Sequence, residues 1–295
     1  MGPPRVITLL KSFSNASLVS LMNHEYVAVH VKEFFDPALS HQLALTIEQQ
    51  YENNECKNWK VTTSQGGLES SDVLTVNTPY NVAQQSQSPK DVEKYFANVK
   101  ATNDSFRSSG QIHPLDKLRL ELDEAWPAGA NLGREKTPPY RPLAAGQVRV
   151  MAGPTRWKNG FVHVDDMSPL SKLGGTFSAN VYLRLPGHKD EVEYEDGDED
   201  ETGHHLNIWD VDIDSHVNKD KLLNCLTSQD AASQIFLTRE LGVPIKVTVE
   251  PGDLVLLCAQ RPHSVAGFEE EGALRISYQT FISYSGLGQN LVIDS

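Results

Sequence analysis

A mainly β fold with flanking helices is predicted by three observations on the sequence. Strand-like runs with period-two alternation crowd the second half of the chain, turn residues separate them, and the helical periodicities lie before residue 127. From the N-terminus, YVAVHVKEFF reads as a strand ended by Asp36-Pro37, a good N-cap followed by the first helical position. A helix from about Ala38 to Tyr51 follows, with Leu39, Leu43 and Ile47 along one stripe. Asn58 to Pro89, rich in Ser, Thr, Gln and Gly, reads as a long loop with a short strand. Loops of that length in compact domains are often functional, which makes Thr78 and Tyr80 candidate substrate contacts. Two helices are expected over SPKDVEKYFANVKATNDSF and HPLDKLRLELDEAW, the first with Val92, Tyr95, Phe96 and Val99 as packing positions. Pro127 to Pro142 reads as a linker. The 295 residues are thus expected to form a single domain, with residues 1–142 as an N-terminal strand and helical shell and 143–295 as the β core.

Within that core, QVRVMAG and SANVYLRL are strands. In the second, Ala179, Val181, Leu183 and Leu185 make one apolar face, and Ser178, Asn180, Tyr182 and Arg184 share the other. The C-terminal run IKVTVEPGDLVLLCAQRPHSVAGFEEEGALRISYQTFISY reads as a strand, a tight turn at Pro251-Gly252 and a second strand from Leu254 to Cys258. A loop bearing His263 and a third strand from about Arg275 to Tyr284 complete it. Alternation along the third strand sets Arg275, Ser277 and Gln279 on one face and Ile276, Tyr278 and Thr280 on the other.

The chemistry concentrates at FVHVDD. On a strand, His163 and Asp165 project from one face, so one short segment supplies two metal donors, and Asp166 turns away from them. With His263 they make a two-His-one-carboxylate set, which leaves one face of an octahedral Fe(II) open. A lone His-x-Asp arises readily by chance in a chain with 10 His and 39 acidic residues, so its weight comes from the C-terminal residues. An inward guanidinium at Arg275 is costly unless paired, and its planar fork suits a carboxylate, with the Ser277 hydroxyl as a further donor.

The order His163-x-Asp165, His263, Arg275-x-Ser277, with PGDLVLL ahead of the distal His, resembles the iron(II)/2-oxoglutarate-dependent dioxygenase superfamily over roughly residues 145 to 285. The resemblance implies a double-stranded β-helix (jelly-roll) core, Fe(II) on His163, Asp165 and His263, and O2 and 2-oxoglutarate as cosubstrates. Arg275 and Ser277 would hold the far carboxylate of 2-oxoglutarate. The chain is also similar to stand-alone enzymes of secondary metabolism, including the carrier-independent halogenases of indole alkaloid pathways, which share a strand like VRVMAG, a short connection and VHV. Those halogenases have a small residue where Asp165 stands, so C–H oxidation without halide is expected here. The implied substrate is a small metabolite, a free amino acid or amine-bearing natural-product intermediate, altered by hydroxylation or by desaturation or oxidative cyclisation. Asn180 and Tyr182 are then candidates for cosubstrate, Arg149 for a carboxylate, and Trp157 and Phe161 for an apolar wall of the substrate pocket. A protein or peptide hydroxylase of the same superfamily and a cupin-like metal-binding non-oxygenase are the alternatives. Cupins usually take His-x-His from the first motif, where this chain has His-x-Asp.

Composition sets bounds. The formal net charge is −13, but nine carboxylates lie within residues 190–201, which leaves −4 for the remainder. The stretch 187–203 is expected to be a solvated acidic loop, with a lid or a dock for a basic partner as alternatives. No basic stripe points to nucleic acid, and no apolar run reaches the length of a membrane span. MGPPRVITLL is too short and proline-rich for a signal peptide. Cys56, Cys225 and Cys258 are dispersed and odd in number, which argues against a disulfide framework and for a reducing, cytoplasmic setting.

Overall fold

A buried run such as Leu254–Cys258, with no polar residue in five, needs apolar cover on both faces, and the fold supplies it. The computed structural model describes residues 5–62, 68–86, 88–108, 110–187, 203–228 and 230–295. Thirteen strands among them form two sheets: β1 (Val6–Leu10), β2 (Ala28–Lys32), β3 (Lys57–Thr62), β4 (Leu68–Thr75), β5 (Ala130–Leu132), β6 (Gln147–Ala152), β7 (Gly175–Arg184), β8 (His205–Ile208), β9 (Ile245–Thr248), β10 (Leu254–Cys258), β11 (His263–Val265), β12 (Leu274–Tyr284) and β13 (Leu291–Asp294). The large sheet runs β1-β2-β10-β7-β12-β6-β4-β3, with β13 and β5 attached beside β12, and the small sheet runs β11-β8-β9.

The two faces of the large sheet carry different loads. On one, Leu254, Leu256 and Cys258 join Phe177, Ala179, Ile276 and Tyr278 in the main core. That core is closed by α1 (Asn15–Met22), α2 (Pro37–Glu52) and α5 (Pro114–Ala125) through Leu18, Ile47 and Leu118. On the other face, Val255 and Leu257 meet Leu206, Ile208 and Val247 of the small sheet. Pro251-Gly252 therefore does not close a β9–β10 hairpin; it carries the chain from the small sheet to the large one. Below that turn Asp253 is buried and accepts from His30 Nε2 at 2.7 Å and from the Glu33 and Glu250 amides.

Several elements differ from the sequence expectation. Helix α2 starts at Pro37 with Asp36 accepting from the Ala38 and Leu39 amides, as its capping residues predict. Residues 58–89, expected as a loop with one short strand, instead hold the β3–β4 hairpin and α3 (Tyr80–Gln85), because polar strands at a sheet edge carry no apolar alternation. Within the expected linker, the three-residue β5 pairs in parallel with β13, and such a strand is too short for periodicity to register. The strands of the first 142 residues belong to the large sheet, together with β6, β7, β10, β12 and β13. Helices α6 (Lys219–Leu226) and α7 (Ala231–Leu241) lie between β8 and β9, where no helix was expected. Expected helices fill out α4 (Pro89–Ser108) and α5. The acidic run at 190–201 lies outside the described residues.

Candidate metal centre

His163 and Asp165 are not on a regular strand. The segment Phe161–Asp166 holds a single ladder pair, His163 with His263, closed by reciprocal amide-to-carbonyl bonds of 3.0 and 2.9 Å. The Asp165 and Asp166 amides then both donate to Ala259 O, which ends the pairing. Asp166 turns away as expected and is held by the Ser168 amide and the Thr176 hydroxyl, both at 2.8 Å.

The pairing brings the imidazoles to 4.4 Å between ring centres. Asp165 lies between them, Oδ1 3.6 Å from His163 Nε2 and Oδ2 3.4 Å from His263 Nε2, and one donor atom from each residue lies within 4.8 Å of the others. Both rings are oriented from behind: His163 Nδ1 faces Phe161 O and His263 Nδ1 faces Arg261 O, each at 2.9 Å. A ring that donates through Nδ1 leaves the Nε2 lone pair for a cation. Two imidazole nitrogens and a carboxylate converging on one point fit Fe(II) and leave positions free for further oxygen donors.

The electrostatics agree with that reading. Burial pushes the His163 imidazole down to about 4, with His263 beside it acting in the same sense, so the ring is neutral at pH 7. Burial alone would raise the Asp165 carboxyl, but His263, His163 and Arg149 beside it outweigh that and hold it below the usual carboxylate range. For His263 the burial effect, which lowers it, is outweighed by Asp165, and the ring is raised.

These donors open into a cavity of ≈340 Å³, within the range of small-molecule sites. Arg275 reaches it from β12 and is only 3% exposed. Its Nη1 donates to Gly203 O at 2.9 Å and its guanidinium carbon lies 5.1 Å from the Tyr182 ring centre, but Nη2 is buried with no hydrogen-bond partner. Among the described residues no carboxylate pairs with it. A buried guanidinium that no carboxylate neutralises is costly, and a bound carboxylate would supply what it lacks. Ser277 and Asn180 line the same wall. Burial lowers Arg275 and raises the Tyr182 phenol, so the pair meets as cation and neutral ring.

Arg149 of β6, opposite Ser277 in the register, is a second guanidinium on this cavity, pulled down by burial to about 10 and opposed by Asp165. Trp157 and Phe161 form one side, 5.8 Å apart at their ring centres, with Phe161 stacked on His163. Gly160, at φ +81°, lets their loop approach β11, because a Cβ there would stand 2.2 Å from Val265 O. Ten of the twelve residues singled out in the sequence therefore share one cavity. Thr78 and Tyr80 do not line it. Thr78 lines a separate cavity of ≈380 Å³, and Tyr80 begins α3 with its ring 5.1 Å from Tyr95. A loop was expected there; Thr78 does lie in irregular chain, but Tyr80 opens a short packed helix.

Sequence reasoning assigned no role to Gln279, whose Nε2 donates to Asp165 Oδ2 at 3.4 Å and Ser178 Oγ at 3.1 Å. Its place two residues after Ser277 on the same face was the available signal. Gln234 of α7, which grips Val162 from outside the sheet, had no signal in the sequence at all.

No family model matches the chain, and no curated protein matches it in sequence. Among solved structures, it is similar to an N-substituted L-amino acid dioxygenase from Burkholderia ambifaria AMMD in complex with α-ketoglutarate. The identity is 14%, with 95% of this chain and 91% of that chain covered and a TM-score of 0.52. A second structure of that dioxygenase gives 13% identity, the same coverage and a TM-score of 0.52. The chain shares their fold.

Proposed function

We propose that the protein is an Fe(II)/2-oxoglutarate-dependent oxygenase that oxidises a C–H bond of a small metabolite. One observation carries the reading: a buried guanidinium that no carboxylate of the described residues neutralises, Arg275, lines the same small cavity as the His163, Asp165 and His263 donor set. His163, Asp165 and His263 hold the metal, and Arg275 with Ser277 binds the far carboxylate of 2-oxoglutarate, flanked by Tyr182 and Asn180. Bound Fe(II) with 2-oxoglutarate and O2 supplies an oxidant able to take hydrogen from an unactivated C–H bond.

The chain's own work is binding, orientation and exclusion of water. Trp157, Phe161 and Met151 give the substrate an apolar wall, and Arg149 gives a carboxylate of substrate or cosubstrate a second cation. A free amino acid or a related amine-bearing intermediate is the leading substrate class, supported by a structural neighbour described as an N-substituted L-amino acid dioxygenase. Hydroxylation is the default outcome, with desaturation or cyclisation where another group of the substrate intercepts. A cavity of ≈340 Å³ favours such a molecule over a polypeptide. Asp165 in the ligand position favours oxidation without halide. Anaerobic addition of Fe(II) and 2-oxoglutarate is expected to produce a weak visible charge-transfer band that His163→Ala abolishes. A native protein that binds the metal yet shows no band overturns the proposal.

A further inference from the structure

Both imidazoles of the metal centre sit on segments outside the large sheet, and one excursion of the chain fastens both. Between β8 and β9 the chain leaves the small sheet at Trp209 and returns at Ile245, building α6 and α7 on the way. Val162, beside His163, is buried in the small core of this excursion with Trp209, Leu222 and Leu237.

In an extended segment, successive residues point their amides and carbonyls to opposite edges. His163 spends its pair on His263; Val162 faces the other edge, where no strand lies among the described residues. Gln234 of α7, 6% exposed, takes that place. Its Oε1 accepts from the Val162 amide at 2.7 Å and its Nε2 donates to Val162 O at 3.1 Å, the pairing that a neighbouring peptide would offer. The neighbouring residue, Phe161, supplies the carbonyl that orients the His163 ring.

The same excursion holds the other imidazole at its stem. The Trp209 amide donates to Pro262 O at 2.9 Å, and Asp210 Oδ1 accepts from Arg261 Nη1 at 2.7 Å. Arg261, 4% exposed, supplies the carbonyl that orients the His263 ring. Arg5 fixes the second oxygen of Asp210 at 2.6 Å. Neither Gln234 nor Asp210 lines the cavity.

We propose that the α6–α7 excursion is the positioning device of the metal centre, setting His163 through Gln234 and His263 through Asp210. The inference rests on the metal-binding reading above. Both residues act through the ligands and touch neither metal nor substrate. The helical core provides the rigid mount that an isolated ladder pair lacks, and orienting groups of this kind typically change metal affinity about 10- to 100-fold.

Titration of the full chain with Co(II) alone, read by the visible absorption of the bound ion, tests this. Gln234→Leu keeps the volume and removes both bonds; it is expected to weaken Co(II) binding by roughly tenfold or more and to alter the band shape. Gln234→Glu retains the acceptor for the Val162 amide and should fall between the two. Asp210→Asn removes the charge behind Arg261 and should weaken binding in its own right. Circular dichroism and a cooperative thermal transition of the metal-free chain establish that each variant is folded. If Gln234→Leu does not fold, Gln234→Glu and Asp210→Asn decide by the same readout. Folded variants with native affinity and an unchanged band overturn this proposal alone. A native chain whose Co(II) binding is indifferent to His163→Ala overturns the metal reading, and this one with it.

Discussion

On β12, Arg275, Ser277 and Gln279 face the cavity because an eleven-residue strand, paired with β7 on one side and β6 on the other, must alternate. The stretch Phe161–Asp166 has one ladder pair, and its two proposed metal donors are held by particular bonds: His263 across the bridge, Gln234 behind, and Ala259 beyond. One wall of the cavity is thus set by periodicity, where neighbours share any local strain. The other depends on a few contacts, each of which matters singly. The contrast suits the proposed tasks, since a carboxylate anchor tolerates small shifts and a three-donor metal set does not.

The largest separation of the two walls is expected from Asp165→Ala. Metal affinity should fall by more than about 100-fold, beyond what loss of an orienting group costs, because a donor itself is gone. Asp165→Gly opens the same position and tests whether halide enters it; retained oxidation at full rate would remove Asp165 from the set. Equilibrium dialysis against Fe(II) under anaerobic conditions gives the number. Arg275→Ala should do the converse. Losing a charge-assisted pair of about 2–3 kcal/mol raises the 2-oxoglutarate requirement roughly 30- to 150-fold while Co(II) binding stays native. Cosubstrate dependence unchanged in that variant would mean that Arg275 is not the anchor.

The same contrast governs what could be read from the sequence. Arg275, Ser277 and Gln279, and Asn180 with Tyr182, were placed on one face by period two alone, and the strands that carry them are long. His163 and Asp165 share the cavity although the strand invoked to align them is only an isolated pair, so the spacing served where the secondary structure did not. Gln234 lies 71 residues beyond His163, on a helix whose own pattern says only that it packs. Thr78 and Tyr80 were read from loop length, which carries no direction. Regular hydrogen bonding leaves a periodic trace, whereas single long-range bonds leave none.

The back of β12 offers an intermediate test, because the regular wall is only as firm as its packing. His113 lies against Tyr278 at 4.6 Å between ring centres, and its Nδ1 accepts from the Leu115 amide at the start of α5. Burial lowers its pKa to about 3. The folded value is therefore below the unfolded one of about 6.5, so the unfolded chain binds the proton first as pH falls. The contribution is fully present above about 6.5 and is lost toward about 3. Between pH 7.5 and 5.5 it should remove on the order of 1 kcal/mol. Urea unfolding at the two values should show that loss in the native chain and a smaller one in His113→Asn, which keeps a capping side chain without the titration. Equal losses in both would mean that the imidazole is protonated in the fold.

The smallest effect is expected where the two walls touch. Gln279 belongs to the periodic wall by position, yet its Nε2 donates to Asp165 Oδ2 at 3.4 Å, the oxygen that also faces His263, and its second bond, to Ser178 Oγ at 3.1 Å, keeps the amide in place. A carboxylate bound to metal through one oxygen has the other left to satisfy, and Gln279 is the group beside it. Gln279→Leu removes both bonds, of which the one to Asp165 bears on the metal at about 0.5–1 kcal/mol, so Co(II) affinity should weaken by about two- to fivefold. Gln279→Glu sets a second carboxylate beside Asp165 and should weaken it further if the site needs a donor there. If both substitutions leave affinity unchanged while Gln234→Leu lowers it, the metal wall is held entirely from its outer side, and the sheet contributes only the anchor for the cosubstrate.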